Sequence, residues 1–464
     1  MRSIALLVGG DDTIVACATP EGRGALAVIR ITGARAIEIA RALGASPRAP
    51  RVATRVALRH PHSGAPLDDA ILTAYPAPHS FTGEDVVELS THGGHVVPTL
   101  VLAACVAAGA RLALPGEFTR RGVLNGKLDV LQAEAIADLI DARTMAMQQQ
   151  AMAQLDGGLS RRVLALRDEV VQLEALLAYD IDFPEEDDGP IAPARIAAVA
   201  HRLRDSLDAL LATAPRAALV RDGALVVIAG PPNVGKSSLF NSLLGESRAL
   251  VTPIAGTTRD AIDGLLDRSP IPLRLVDTAG LRDTDDALEQ LGIEVSGRYL
   301  AGARIVLACG ASDTDVRLAC DAVGARTAAT IVPVHTKADL IDDGAPRDSS
   351  TREARFSYVS AETGEGLSAM LARIDAVLAE SDARSISAPS ADAIVITRER
   401  HQRGLREARD EITRFLEGWS SGELPATVAA VHLQSARDAL AELVGAIGTE
   451  EILDRVFAEF CIGK

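Results

Sequence analysis

Gly230-Pro-Pro-Asn-Val-Gly-Lys-Ser237 has the spacing G-x-x-x-x-G-K-S/T of a phosphate-binding loop. The preceding Ala224-Leu-Val-Val-Ile-Ala229 is apolar throughout and reads as a buried strand. The following Ser238-Leu-Phe-Asn-Ser-Leu-Leu244 reads as the start of a helix. In a strand–loop–helix the glycines let backbone N–H groups close around phosphate oxygens. The helix N-terminus adds positive potential. Lys236 is placed to reach the β- and γ-phosphates, and Ser237 to offer its hydroxyl to Mg²⁺. A chance glycine-rich turn would lack both flanks, so a nucleoside triphosphate site in a Ras-like α/β layer is the expectation.

The motifs that follow choose the nucleotide. Gly256-Thr-Thr-Arg-Asp260 is a switch-like segment with a threonine available as a second Mg²⁺ ligand. Leu273-Arg-Leu-Val-Asp277 reads as a strand ending in an acid, with Thr278-Ala-Gly280 after it. Asp277 would hold a water on Mg²⁺, and the Gly280 N–H would face the γ-phosphate. His335-Thr-Lys-Ala-Asp339 follows the apolar run Ile331-Val-Pro-Val334. Asp339 would accept from the guanine N1–H and 2-amino group while Lys337 packs along the base. Val359-Ser-Ala-Glu362 would give a backbone N–H to guanine O6. Charge-assisted bonds of this kind contribute roughly 1.5–3 kcal/mol. Adenine would leave Asp339 unpaired, so GTP is expected over ATP. Each short motif alone would be weak, but in this order after a phosphate loop they are strong.

Departures narrow the class. Thr336 stands where most GTPases carry Asn, which leaves Asp339 most of the base specificity. Leu281 follows Gly280 where a Gln could have oriented the attacking water. No arginine finger marks the sequence, and such a group contributes about 10³–10⁵ in rate. Asn233, with Thr252, Ile254 and Thr257, suggests a site where a monovalent cation takes the place of the guanidinium.

Layout follows from pattern. A length of 464 residues fits roughly three domains. Residues 1–125 mix short apolar runs with Gly/Pro turns and read α+β. Residues 126–215 read helical, broken by an acidic stretch after Tyr179 and resuming as a helix from Pro193 to Ala214. Residues 216–383 hold the GTPase motifs, and 384–464 read helical again. A GTPase domain inserted between two halves of one helical domain is the economical arrangement. Its switches would then act on a lever. A net charge of −16 disfavours broad coating of nucleic acid, although residues 1–60 carry nine Arg against four acids. Five scattered cysteines without C-x-x-C fit a reducing cytoplasm and no zinc. The first ten residues are too short and too quickly polar for a signal peptide, and no apolar run nears the about 18 residues of a membrane span. His92 and His95 find no third ligand nearby and read as structural histidines.

Further motifs carry a resemblance over nearly the whole chain. They include Thr13-Ile-Val-Ala16, Gly22-Arg-Gly24, Ser80-Phe-Thr-Gly-Glu-Asp85, His92-Gly-Gly94 and Pro115-Gly-Glu-Phe118. Leu124-Asn-Gly-Lys-Leu-Asp129, Gln132-Ala-Glu-Ala-Ile-Ala-Asp138, Ile181-Asp-Phe-Pro-Glu-Glu186 and Phe460-Cys-Ile-Gly-Lys464 continue it. With them the chain resembles the bacterial tRNA-modification GTPases of the MnmE (TrmE) family.

The resemblance implies a set of assignments. The GTP contacts would be Asn233, Val234, Gly235, Lys236, Ser237, Ser238, then Thr252, Pro253, Ile254, Ala255, Gly256, Thr257 and Thr258. Asp277, Thr278, Ala279 and Gly280 would follow, then Thr336, Lys337, Ala338 and Asp339, and Ser360, Ala361 and Glu362. Mg²⁺ would lie on Ser237 and Thr258, and K⁺ on Asn233, Thr252, Ile254 and Thr257. Glu289 would act on the attacking water through a second water, although by its residues alone it reads as a solvated acid. A 5-formyl- or methylene-tetrahydrofolate would bind Arg30, Glu88, Lys127 and Lys464, each of which alone would read as a surface charge. Cys461 would be needed for modification, either as a nucleophile or as a packed thiol.

The implied protein is a potassium-dependent, cytoplasmic homodimer joined through its N-terminal domains. It would work with a flavoprotein, MnmG, on the wobble uridine of certain tRNAs. A ribosome-assembly or signalling GTPase is the rival, and it would predict an appended RNA-binding module or basic tail. A third possibility is a folate-dependent aminomethyl transferase with a regulatory GTPase insert.

Overall fold

Alternating burial along Leu26–Thr32 and Thr54–Arg59 turns one face of each strand into a core, as period-two apolar patterning requires. The computed structural model describes residues 12–182, 192–246, 263–268, 271–277, 299–341, 356–385, 395–421, 425–446, 456–457, 460 and 463. In chain order come β1 (Ile14–Cys17), β2 (Leu26–Thr32), α1 (Ala36–Ala42), β3 (Thr54–Arg59), β4 (Pro66–Tyr75), β5 (Val86–His92), α2 (Val96–Ala107), β6 (Arg111–Leu112) and α3 (Glu117–Leu124). Helices α4 (Val130–Asp141), α5 (Met145–Leu155), α6 (Gly158–Asp182), α7 (Pro193–Leu211) and α8 (Ala214–Asp222) follow. Next are β7 (Ala224–Ala229), α9 (Lys236–Glu246), β8 (Asp263–Leu266), β9 (Leu273–Asp277), β10 (Ile305–Gly310), α10 (Asp313–Gly324), β11 (Thr330–His335) and β12 (Ser357–Tyr358). Helices α11 (Leu367–Ser385), α12 (Glu399–Ser421) and α13 (Ala426–Leu443) complete the described elements.

The chain divides into two compact units. One takes residues 1–140, 154–207 and 403–464, and the other 141–153 and 208–402. The first holds a six-stranded sheet in the order β3-β4-β5-β2-β1-β6, antiparallel except where β1 meets β6. Helices α1 and α2 cover one face, with Ile29, Ile31, Leu58, Leu72, Leu89 and Val101 in the core. On β2 and β5 the intervening residues point the other way, and register sets Arg30 directly opposite Glu88. In α6, Leu159, Val163, Leu166, Val170, Leu173 and Leu177 are buried at alternating spacings of four and three, a coiled-coil seam packed on α13.

The helix expected over about Pro193 to Ala214 is α7, which stops at Leu211; α8 starts at Ala214. Pro215 explains the break. It would remove an amide and clash inside a helix, but is tolerated in a first turn, where those amides have no helical acceptor.

The second unit is built on a sheet in the order β12-β11-β10-β7-β9-β8, parallel except for the edge strand β8. Its strands are apolar on both faces, as parallel strands sandwiched by helices must be. The chain runs from β7 to β9 on one side and returns to β10 on the other. The C-terminal end of β7 is therefore a topological switch point, where ligands of such sheets bind.

Candidate functional site

The phosphate loop leaves β7 at that switch point. A Cβ on Gly230 would lie 2.2 Å from the Cys309 carbonyl oxygen, so only glycine allows β7 and β10 to approach there. Asn233 holds φ +60°, a left-handed conformation that asparagine tolerates better than most residues. Lys236 opens α9, and its Nζ donates to the carbonyls of Gly230 (3.0 Å) and Pro231 (2.7 Å). The ammonium thus lies in the concavity of the loop, where a phosphate could draw it. Ile228 pairs with Asp277 across β7 and β9, which brings the acid to the loop. Ser237 Oγ donates to Asp277 Oδ2 at 2.7 Å. A hydroxyl and a carboxylate side by side form a hard-oxygen set suited to Mg²⁺ shared with phosphates and water. Cys309, beneath the loop, is fully buried, and burial pushes its thiol up to about 12, so it is inert.

Beside the loop lies a cavity of about 340 Å³. Gly235, Ser238, Leu239, Thr336, Lys337, Asp339, Leu340, Val359, Ala361 and Glu362 line it. Lys337 has φ +55° and leads into a short 3₁₀ helix, Ala338–Leu340. The Ala338 N–H donates to the Val359 carbonyl at 3.1 Å, fixing the 3₁₀ helix against the loop after β12. That loop is itself braced. Ser360 Oγ accepts from the N–H groups of Glu362 and Thr363, and Ser242 Oγ of α9 donates to the Ala361 carbonyl at 2.7 Å. Lys337 Nζ reaches back to the Asn233 carbonyl at 3.0 Å, so its stem runs along the cavity wall beside Gly235. The residues expected to read a guanine and those expected to hold its phosphates thus come together. Thr252, Pro253, Ile254, Ala255, Gly256, Thr257, Thr258, Thr278, Ala279, Gly280, Leu281 and Glu289 lie outside the described residues.

A second cavity, of about 360 Å³, opens on the other face of the first unit's sheet. Arg30, Arg51, Tyr75, His79, Ser80, Phe81, Val86, Glu88 and Lys127 line it. Arg30 donates from Nε (2.9 Å) and Nη2 (2.8 Å) to Glu88 Oε1, and its guanidinium lies 5.7 Å from the Phe81 ring centroid and 5.8 Å from that of Phe118. Tyr75 donates to Glu88 Oε2 at 3.4 Å; burial and the Glu88 charge raise its phenol above the ordinary value. Lys127 Nζ donates to the Pro78 carbonyl at 3.0 Å. Phe457 and Phe460 pack with Val130, Ala133 and Ile136 of α4, and Arg30 Nη1 reaches the Gly463 carbonyl at 3.5 Å. Gly463 also abuts the Cys17 backbone. Gly463 therefore lies beside Arg30 of this cavity, while Cys461 and Lys464 lie outside the described residues.

Both pockets sit in a chain with close relatives along its whole length. It is 43% identical over 461 residues to the tRNA modification GTPase MnmE of Azoarcus sp. (strain BH72), covering 98% of each chain. The chain belongs to the MnmE family of tRNA modification GTPases. The MnmE of Dechloromonas aromatica is 40% identical over 457 residues, covering 98% of this chain and 100% of its own. That of Moorella thermoacetica is 38% identical over 471 residues with the same coverage. Family models for the TrmE N-terminus and the MnmE helical domain match residues 13–127 and 130–461. The G domain of the T. maritima FeoB iron transporter covers 33% of this chain and 98% of its own at 23% identity and a TM-score of 0.25, a slight likeness.

Within that family frame, sequence reasoning missed several lining residues. Arg51 enters the first unit's cavity from a left-handed backbone (φ +59°), stacks over Tyr75 and donates to the His79 carbonyl. Nothing in its local sequence signals that conformation. Tyr75 carries no sequence signal for the cavity, and Phe81 stands out only as part of the Ser80–Asp85 motif. Among the described residues no helix is long and apolar enough to cross a membrane.

Proposed function

We propose that this chain hydrolyses GTP to drive modification at C5 of the wobble uridine (position 34) of certain tRNAs. It acts in the cytoplasm with the flavoprotein MnmG, as a homodimer joined through its N-terminal portion. Residues 216–383 form the GTPase module, set between helical halves 126–215 and 384–464. The supporting observation is the pairing of a braced base pocket beside a phosphate loop with a second, cation-rich pocket, in a chain matched end to end by tRNA modification GTPases.

In this reading Ser237, Thr258 and, through a water, Asp277 would hold Mg²⁺, whose charge would offset that of the phosphates. Asn233, Thr252, Ile254 and Thr257 would hold K⁺ where other GTPases use an arginine, and Glu289 would orient the attacking water through a second water. The donor set at the second pocket fits a reduced folate: Glu88 for the pterin edge, Phe81 for its face, and Arg30 and Lys127 for anionic ends. The family resemblance adds Lys464 to that set. When bound there, the folate would supply the one-carbon unit, and the family resemblance gives Cys461 a part in the modification.

The deciding measurement is mass spectrometry of wobble nucleosides from a deletion strain. Loss of the C5 aminomethyl-type groups is expected, and unchanged nucleosides would overturn the assignment. GTP turnover should rise at least tenfold when potassium replaces sodium; equal rates would remove the cation site. Glu88→Ala should weaken 5-formyltetrahydrofolate binding about tenfold or more by titration calorimetry, since it removes one charge-assisted partner and frees Arg30. Wild-type affinity in that variant would exclude this pocket.

A further inference from the structure

Thr336 was read as a departure from the asparagine of most GTPases, and the structure shows where its hydroxyl goes. The residue is 3% exposed. Its Oγ1 lies 2.5 Å from the Val234 carbonyl oxygen, inside the phosphate loop, and 3.0 Å from that of Gly310 at the end of β10. A hydroxyl carries one hydrogen. Both neighbours are carbonyl oxygens, which only accept, so the one hydroxyl hydrogen goes to one of them, and the shorter contact is the one with Val234. No hydrogen remains on this side chain for a base atom. The methyl and the backbone are what it offers the cavity it lines.

The geometry assigns Thr336 two linked roles. It is a positioning residue, a strut that ties the base-reading turn to the phosphate loop. Because that contact takes its only hydrogen, it leaves the purine N7 unread at this position. N7 is an acceptor and needs a donor; an asparagine amide has two N–H groups and could hold a loop carbonyl and a ring nitrogen together, whereas threonine must choose. Lys337 adds a second tie from the same turn, through Nζ to the Asn233 carbonyl. Base specificity then rests on Asp339 at N1–H and the 2-amino group and on the loop after β12 at O6, with N7 left without a donor from Thr336. Occupation of the base can be felt at the phosphate loop through the Thr336–Val234 bond.

The inference rests on guanine nucleotide binding in this cavity, and the same experiment checks that separately. GDP and 7-deaza-GDP are titrated calorimetrically into the full-length wild-type chain, Thr336→Ser and Thr336→Val. Absence of any GDP binding to the wild type would remove the base-pocket assignment itself. With GDP bound, the wild type should hold 7-deaza-GDP within about twofold. A preference for GDP above about fivefold would show that N7 is read and overturn the second role. Thr336→Val leaves the Val234 carbonyl without its donor and should weaken both nucleotides about tenfold, in equal proportion. Thr336→Ser keeps the hydroxyl and should restore binding to within about threefold of wild type. Wild-type affinity in Thr336→Val, or failure of Thr336→Ser to rescue, would overturn the strut.

Discussion

Asp339→Asn is expected to lower affinity for GDP about a hundredfold or more and to move the preference of the pocket toward xanthosine diphosphate. Asp339 lines the base cavity from a 3₁₀ turn held at Ala338 by the Val359 carbonyl, so its carboxylate is presented on a fixed backbone. Guanine offers that carboxylate two donors, N1–H and the 2-amino group. Two charge-assisted bonds at roughly 1.5–3 kcal/mol each set the scale of the loss. The asparagine amide keeps one acceptor but turns an N–H toward a guanine N–H, and a donor facing a donor is repulsive as well as unpaired. Xanthine carries oxygen at C2 in place of the amine and supplies the missing acceptor. Calorimetric titration of both diphosphates into the variant decides the matter. A variant that keeps wild-type affinity for GDP would place base recognition elsewhere.

Much of this site was legible because its chemistry is local in sequence. The phosphate loop is encoded in eight consecutive residues, and the base-reading motif in five. What could not be read was register. Arg30 and Glu88 are 58 residues apart, and alternation along β2 and β5 says only that both leave the core face. The strand pairing that sets them opposite depends on the whole sheet. The Ser237–Asp277 contact has the same origin, since it needs β9 beside β7 and not merely an acid after an apolar run. Thr336 illustrates a different limit. Its identity marked it as unusual, but the destination of its hydroxyl follows from the backbone path of two other loops.

Glu117→Ala should lower the stability of the first unit by about 3–5 kcal/mol, the range for breaking a buried charge pair by removing one partner. Glu117 is 2% exposed and accepts from Arg111 Nη1 (3.0 Å) and Nη2 (2.7 Å), Arg121 Nη2 (3.1 Å) and the Leu114 N–H (2.8 Å). Arg121 also binds Asp12 and Glu84, and Arg111 binds Asp12, so the variant takes one carboxylate from each buried or half-buried guanidinium and weakens a five-residue cluster. Burial alone would raise the Glu117 carboxyl, but Arg111, the Leu114 amide and Arg121 outweigh it and hold it below the ordinary carboxylate range. Asp12 is likewise held low, with burial opposed by Arg111 and Arg121. With both folded values depressed, the unfolded chain takes up protons first as pH falls. The contribution is therefore complete above about pH 5 and is lost as pH drops through the depressed values. Urea midpoints of the wild type should be level from pH 7 to about 5 and fall below it, while Glu117→Gln should start lower and lose less with acid. The same cluster seats α3, whose Phe118 lies against Arg30, so Glu117→Ala should also loosen the second pocket. If the variant keeps the wild-type midpoint at pH 7, the cluster contributes nothing to the fold. If the midpoint falls but folate affinity does not, the link from α3 to Arg30 is broken.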